Sequence, residues 1–159
     1  MKITIACVGR VKEKFFRDAI EEYSKRLSRY AKIDIVEVKD EKTPENASDA
    51  EERKIKETEG KRLLEKIPDS SYVIALAIQG EMLTSEKLAA RIERLGLWGK
   101  SHIVFVIGGS LGLSDEVMKR ADYALSFSRM TFPHQLMRVI LLEQIYRSYR
   151  IISHEPYHK

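Results

Sequence analysis

Two short apolar runs, VIALAI at residues 73–78 and IVFVI at 103–107, limit the folds open to this chain more than any other feature. Neither alternates polar with apolar residues, so a strand made from either is buried on both faces. That is the position of a central strand in a parallel sheet covered by helices on each side. The rest of the chain keeps the same rhythm. Residues 2–8 are short, apolar and β-branched, and 10–30 then carry Phe16, Ile20, Tyr23, Leu27 and Tyr30 at spacings of four and three, the period of an amphipathic helix. Ile33, Ile35, Val36 and Val38 predict a second strand, and residues 40–47, with Pro44, a polar turn.

From 47 to 67 opposite charges recur four apart, Glu52 with Lys56 and Glu57 with Lys61, which predicts a solvated surface helix ended by Pro68 and Asp69. After the strand at 72–79 come a helix at 85–97, a strand at 102–107, a helix at 114–121, a short strand at 123–127 and a long helix from Pro133. Strands alternating with helices predict an α/β fold with a mostly parallel sheet and helices on both faces. The 159 residues suffice for one domain, and no repeat or low-complexity linker divides them.

The last helix is apolar nearly all round. Leu136, Met137, Val139, Ile140, Leu141, Leu142, Ile145 and Tyr146 leave Arg138, Glu143 and Gln144 as its polar members. One sheet covers one side of such a helix, so a second subunit is expected on the other, in a homodimer.

Composition excludes several classes. The longest apolar run is far short of the roughly 20 residues a bilayer needs, and the apolar start is too short for a signal peptide, so a cytoplasmic protein with no membrane partner is expected. A single cysteine, Cys7, precludes an internal disulfide and suits a small buried hydrophobe. Lys and Arg outnumber Asp and Glu by 28 to 24. This permits a polyanionic partner without requiring one, since phosphate affinity depends on clustering. The cations gather at the end of the chain, where Arg147, Arg150, His154, His158 and Lys159 face only Glu155.

Open parallel sheets bind ligands at the carboxyl ends of their strands. Three loops expected there are informative: Gly80-Glu81, Gly108-Gly109-Ser110-Leu111-Gly112, and the segment from Ser128 to His134. Glycines without a Cβ admit a ligand close to the backbone, or merely make a turn between strand and helix. The spacing of Gly108, Gly109 and Gly112 does not match G-x-G-x-x-G, and the G-x-x-x-x-G-K-[ST] phosphate loop is absent, so a dinucleotide or triphosphate enzyme is weakly supported. The four histidines, His102, His134, His154 and His158, have no ligand-like spacing, and no metal is expected.

Taken together, IALAIQGEMLTSEKLA from Ile74, IVFVIGGSLGLSDEV from Ile103 and LSFSRMTFPHQLMRVILLEQIYRSYRI from Leu125 resemble the three cofactor-site segments of the SPOUT methyltransferases. The ending Glu155-Pro156-Tyr157-His158-Lys159 resembles that of one branch, the 23S ribosomal RNA pseudouridine N3-methyltransferases. The resemblance spans the full length, with its specific motifs beginning near Tyr72. It implies a SPOUT fold with a C-terminal trefoil knot, a homodimer, S-adenosylmethionine as cofactor, and ribosomal RNA as substrate; so small and weakly basic a protein has little surface for selecting RNA alone, so that RNA is expected in the assembled ribosome. It implies a single domain over 1–159, with cofactor loops within 72–134 and a dimer helix and tail at 133–159. The expected cofactor contacts are Leu76 and Gly80 on the first loop, Gly108 and Gly109 on the second, and Phe127, Ser128, Arg129, Met130, Thr131 and Phe132 on the third.

A sulfonium donor is already activated, so catalysis reduces to aligning the acceptor nitrogen and removing its proton. Arg138, Tyr157 and His158 are the expected catalytic residues: His158 as base or to position the base edge, Tyr157 to stack or donate a hydrogen bond, Arg138 to steady negative charge or hold phosphate. Glu143 and Arg147 are further candidates, though four apart they also suit a plain helical ion pair. His134, just after Pro133 at a helix start, suits a place near the cofactor. The tail is either a working segment or a frayed end. A non-catalytic RNA-binding factor on the same fold is the alternative function, and it would bind RNA regardless of methyl donor.

Overall fold

A computed structural model describes residues 1–159, and its elements alternate without exception: β1 (Lys2–Val8), α1 (Lys14–Leu27), β2 (Lys32–Val38), α2 (Asp49–Glu65), β3 (Tyr72–Met82), α3 (Ser85–Leu97), β4 (His102–Ile107), α4 (Asp115–Arg120), β5 (Tyr123–Ser126) and α5 (His134–Ile152). The five strands form one sheet in the order β2-β1-β4-β3-β5, and every pairing is parallel. No helix is long and apolar enough to cross a membrane.

Side-chain alternation along the strands divides the core in two. Ile3, Ile5 and Cys7 of β1 and Ile103, Phe105 and Ile107 of β4 point to one face, where they meet α1, α3 and α5. Ala6 and Val8, with Val104 and Val106, point to the other, where Leu63 of α2 and Val117 of α4 cover them. The strands look continuously apolar because both of their faces are covered. At the sheet edge, β2 alternates instead and exposes Lys32, Asp34 and Glu37, charges that oppose pairing with another chain.

Local signals set the helix starts. Ser48 caps α2 in a reciprocal box with Glu51, and Thr84 and Ser114 accept from the third residues of α3 and α4. The expectation that α2 is a solvated surface helix holds over its first turns only. Glu59, Gly60 and Leu63 are buried, and the anticipated Glu52–Lys56 and Glu57–Lys61 pairs are not among the ion pairs formed.

The strand expected at 72–79 runs on to Met82. Leu76 pairs with Leu125, and Glu81 then pairs with the same residue, so residues 77–80 arch out of the sheet before the strand resumes. Gly80 therefore ends an arch within β3 rather than lying in a loop after the strand. A Cβ there would stand 2.7 Å from the carbonyl carbon and oxygen of Ala124, so the glycine is required by the close pass of β5.

On α5, Leu141, Leu142, Ile145 and Ser148 are buried against the sheet and its flanking helices, and so is Arg138 at 1% exposure. The Arg138 guanidinium donates to a carboxylate oxygen of Glu37 on β2 and to the carbonyls of Val8 and Gly9 at the end of β1, at 3.2 and 2.7 Å. A buried cation is tolerable only when partnered in this way. Arg138→Met should lower the unfolding free energy by about 2–4 kcal/mol, because it strands two carbonyls and a carboxylate. Arg138→Lys should fail to restore it, since one ammonium cannot span three acceptors. Urea melts of the three proteins check both expectations.

Candidate active site

A cavity of about 740 Å³ opens at the carboxyl ends of β3, β4 and β5, within the range of roughly 300–1,000 Å³ usual for small-molecule and cofactor sites. The β3 arch lines one side with Leu76, Ala77, Ile78 and Gln79. The β4–α4 loop, residues 108–113, lines a second, and the β5–α5 loop a third, with Ser126 to Ser128 and Met130 to Pro133. His134 and Met137 from the first turn of α5 close the wall. Hydrophobic residues make up 12 of the 23 that line it, and no Asp or Glu is among them. Such walls suit a flat aromatic ring and shed water around it.

Most of the residues expected to hold a cofactor meet here: Leu76, Gly108, Gly109, Phe127, Ser128, Met130, Thr131 and Phe132. Gly80 and Arg129 are not among the lining residues. Gly80 is held against β5, and the Arg129 side chain is exposed to solvent. Hydrogen bonds within the third loop set its shape. Ser126 Oγ donates to the Ser128 carbonyl at 3.0 Å, and the Met130 amide donates to Ser128 Oγ at 2.9 Å. His134 is half-buried, and burial with the nearby Arg138 charge pushes its pKa down, so it stands at the wall as a neutral ring.

The second loop explains its glycines differently from the sequence. A Cβ on Gly108 would lie 2.7 Å from the Gly112 carbonyl carbon, and one on Gly109 would lie 3.0 Å from Oε1 of Glu59 and 3.2 Å from Val8. The loop closes tightly on itself and seats on a buried carboxylate from α2. Glu59 is 4% exposed and accepts from the Glu41 amide at 2.9 Å.

The sequence reading missed Lys56 of α2, Met118 of α4 and Met137 of α5, all of which line the cavity. Lys56 was hidden by its helical spacing from Glu52, the pattern of an exposed ion pair.

A second constellation lies at the other end of α5. Tyr157 Oη donates to Glu143 Oε1 at 2.9 Å, and Arg147 grips both oxygens of the same carboxylate at 2.8 and 3.3 Å. Arg147 also lies 3.1 Å from Nδ1 of His158, whose Nε2 is 2.5 Å from Glu86 of α3. Because arginine can only donate, Nδ1 carries the lone pair and Nε2–H donates to Glu86. The tail is docked rather than frayed, and Arg150 secures it through Glu155 and the Pro156 carbonyl, each at 2.8 Å. Desolvation and the bond to Glu143 push the Tyr157 phenol up to about 12, and the hydrogen bond from His158 pulls the exposed Glu86 carboxyl down. Glu143 and Arg147 do pair along the helix, but as part of this larger network.

No residue beyond Met137 lines the cavity, and ten helical residues separate Met137 from Arg147, about 15 Å of axis. Arg138 belongs to neither group, since its two terminal nitrogens are bonded to β2 and to the end of β1. No group of three or more His, Cys, Asp or Glu side chains is placed to hold a metal ion.

Comparison with known proteins gives the fold and the site a context. The model of a family described as "Predicted SPOUT methyltransferase" matches residues 1–158. The chain is 68% identical over its full length, and that of the relative, to a ribosomal RNA large subunit methyltransferase H from Bifidobacterium adolescentis. It is 64% and 62% identical, again over all of both chains, to proteins of that name from Clostridium novyi and, as methyltransferase H 1, from Clostridium perfringens. Among solved structures, a probable methylase family protein from Haemophilus influenzae superposes with a TM-score of 0.54 at 12% identity, covering 99% of this chain and 70% of that one; it speaks to the fold alone.

Glu59 yields a test of how the second loop is seated. Burial raises its pKa from the usual 4.5, with Asp40 and Glu41 adding to the effect. A carboxyl whose pKa rises on folding contributes stability that is complete below its unfolded value and is lost as pH climbs through the folded one. Glu59→Gln keeps an acceptor for the Glu41 amide and removes the ionisation. It should raise the melting temperature by about 2 °C at pH 7.5 and leave it unchanged near pH 4, as followed by circular dichroism at both pH values.

Proposed function

This chain belongs to the SPOUT methyltransferase family, and on that premise we propose that it transfers the methyl group of S-adenosylmethionine to N3 of a pseudouridine in 23S ribosomal RNA. Its 60–68% identical, full-length relatives bear the name of large-subunit ribosomal RNA methyltransferases, so methylation of ribosomal RNA is the coarse activity and the pseudouridine is the finer reading. One observation carries the cofactor assignment: three loops distant in sequence converge on a single acid-free, largely apolar cavity.

The donor, when bound, supplies a methyl group already activated by its sulfonium charge. The residues present fit such a molecule. Apolar side chains such as Leu76, Phe127 and Met137 offer packing for an adenine, and the main chain of the glycine loop and of 126–132 offers amides and carbonyls for its edges. The chain must also assist loss of the N3 proton, because an imide nitrogen gives it up reluctantly near neutral pH. His158, with its lone pair on Nδ1, is the base in this reading. Tyr157 stays protonated at neutral pH and serves as a donor to the base edge. Arg147 steadies the developing negative charge beside them. Arg138 acts through structure, by fixing the end of β1 and the first turns of α5.

Cavity and tail are separate within one chain, so we assign the working site to a homodimer in which the tail of one subunit faces the cavity of the other. The expectation that α5 meets a partner has support in its half-exposed Leu136, Val139 and Ile140, and in Ile78 and Met130, exposed at 49% and 72% on the cavity wall. The C-terminal trefoil knot and a single domain over 1–159 belong to the same reading. An assembled ribosome as substrate suits so small a protein, because a preformed RNA shape supplies selectivity that little protein surface can.

Deleting residues 157–159 should leave the dissociation constant for S-adenosylmethionine within about twofold and reduce methyl transfer to ribosomes by at least roughly 100-fold, the size usual for an acid–base group. Calorimetry and incorporation of labelled methyl measure the two. Mixing the deleted protein with a cavity-blocked Gly108→Trp variant should restore activity that neither has alone. Unrescued mixtures would place tail and cavity in the same subunit. Mass mapping of ribosomal RNA from cells lacking the protein should show one pseudouridine without its methyl group. RNA binding indifferent to donor, with no lost methyl, would instead mark a non-catalytic binding factor.

A further inference from the structure

Among the residues that line the acid-free cavity is one lysine, Lys56, which reaches the wall from α2. Lys56 has no carboxylate within ion-pairing distance, although the chain forms nine such pairs elsewhere, three of them between helical neighbours four apart. A half-buried, unpartnered cation at a ligand cavity is an uncompensated charge and favours an anionic group brought by the ligand. The same residue also lines an adjoining trough of about 290 Å³, formed by eight residues of which none is hydrophobic. The trough carries both signs of charge, with Arg53, Lys61 and Lys119 beside Lys56 and with Glu57, Asp115 and Glu116 among its walls.

An apolar chamber leading at Lys56 into a mixed-charge trough matches a molecule with an aromatic nucleoside at one end and an amino-acid zwitterion at the other. Resting on the methyl-donor reading above, we propose that Lys56 is the binding residue for the donor's α-carboxylate, with the adenosyl portion in the apolar chamber. An RNA phosphate is the less suitable occupant of this position. The trough's four cations are interspersed with three carboxylates, and those carboxylates attract the ammonium that a zwitterion brings and a phosphate lacks.

The test separates the two halves of the donor. S-adenosylhomocysteine carries the amino-acid portion, and 5′-methylthioadenosine is the same adenosyl thioether without it. Lys56→Met should weaken S-adenosylhomocysteine roughly tenfold, the scale of one charge-assisted contact, and should leave methylthioadenosine within about twofold, both read by calorimetry. Lys56→Arg should retain most of the affinity, and Lys56→Gln provides a polar variant should the methionine disturb folding. Equal loss for both ligands, no loss for either, or an unchanged donor constant with a raised KM for ribosomes would each overturn the assignment. If the unaltered protein binds neither ligand, the methyl-donor reading fails and takes this inference with it. If it binds both and Lys56 proves indifferent, only the inference fails.

Discussion

The guanidinium of Arg138 holds together the parts from which the cavity is made. It is buried on α5, one residue beyond Met137 of the cavity wall, and reaches the last carbonyls of β1 and the carboxylate of Glu37 on the edge strand. The β5–α5 loop is therefore anchored at both ends, by its strand and by the first turns of a helix that cannot slide. A buried cation costs several kcal/mol in lost hydration unless acceptors replace the water. Here three acceptors from the end of β1 and from β2 meet one donor group on α5, so moving any of these elements exposes the cost. Precision at the third loop follows from that all-or-none arrangement.

Parallel pairing accounts for where the site lies. With every strand running the same way, all strand-to-helix loops emerge at one edge, and the neighbours β4, β3 and β5 bring theirs together. The strand order places β3 between strands that follow it in sequence, so its arch at 77–80 faces loops made tens of residues later. The glycines then answer to backbone crowding, Gly80 against β5 and Gly108 against Gly112. They make the loops possible, and the loops in turn make the cavity.

How much of this was legible in the sequence depends on the range of the interaction. Strands buried on both faces announce themselves in VIALAI and IVFVI, and the first helix in the four-and-three spacing from Phe16 to Tyr30, because burial writes local patterns. Eight of the ten cofactor contacts implied by the SPOUT resemblance line the cavity, on loops set by those elements. What escaped was tertiary. Arg138 looks like the polar stripe of a helix until Glu37, 101 residues earlier, is set beside it. Gly80 looks like a loop glycine until a register shift returns its strand to the sheet. Lys56 and Glu59 sit in a run of paired charges whose periodicity describes a solvated helix, while the fold turns one side of that helix toward the β4–α4 loop.

Charge is divided between the two ends of α5 in a way that suits two different tasks. The cavity wall carries one lysine, one neutral histidine and no acid, a setting in which the proposed sulfonium donor would meet no competing carboxylate. The tail network is its opposite, with Glu86, Glu143, Arg147 and His158 linked in sequence and Tyr157 hydrogen-bonded into it. Proton removal needs such mobile charge, and donor binding needs its exclusion, because a carboxylate near the sulfonium would stabilise the ground state more than the transition state, in which that charge disperses. In the proposed reading, the two lie on opposite ends of one helix and stay apart until a substrate base joins them. A pair of chains related by a twofold axis can bring a tail to a cavity without moving either helix.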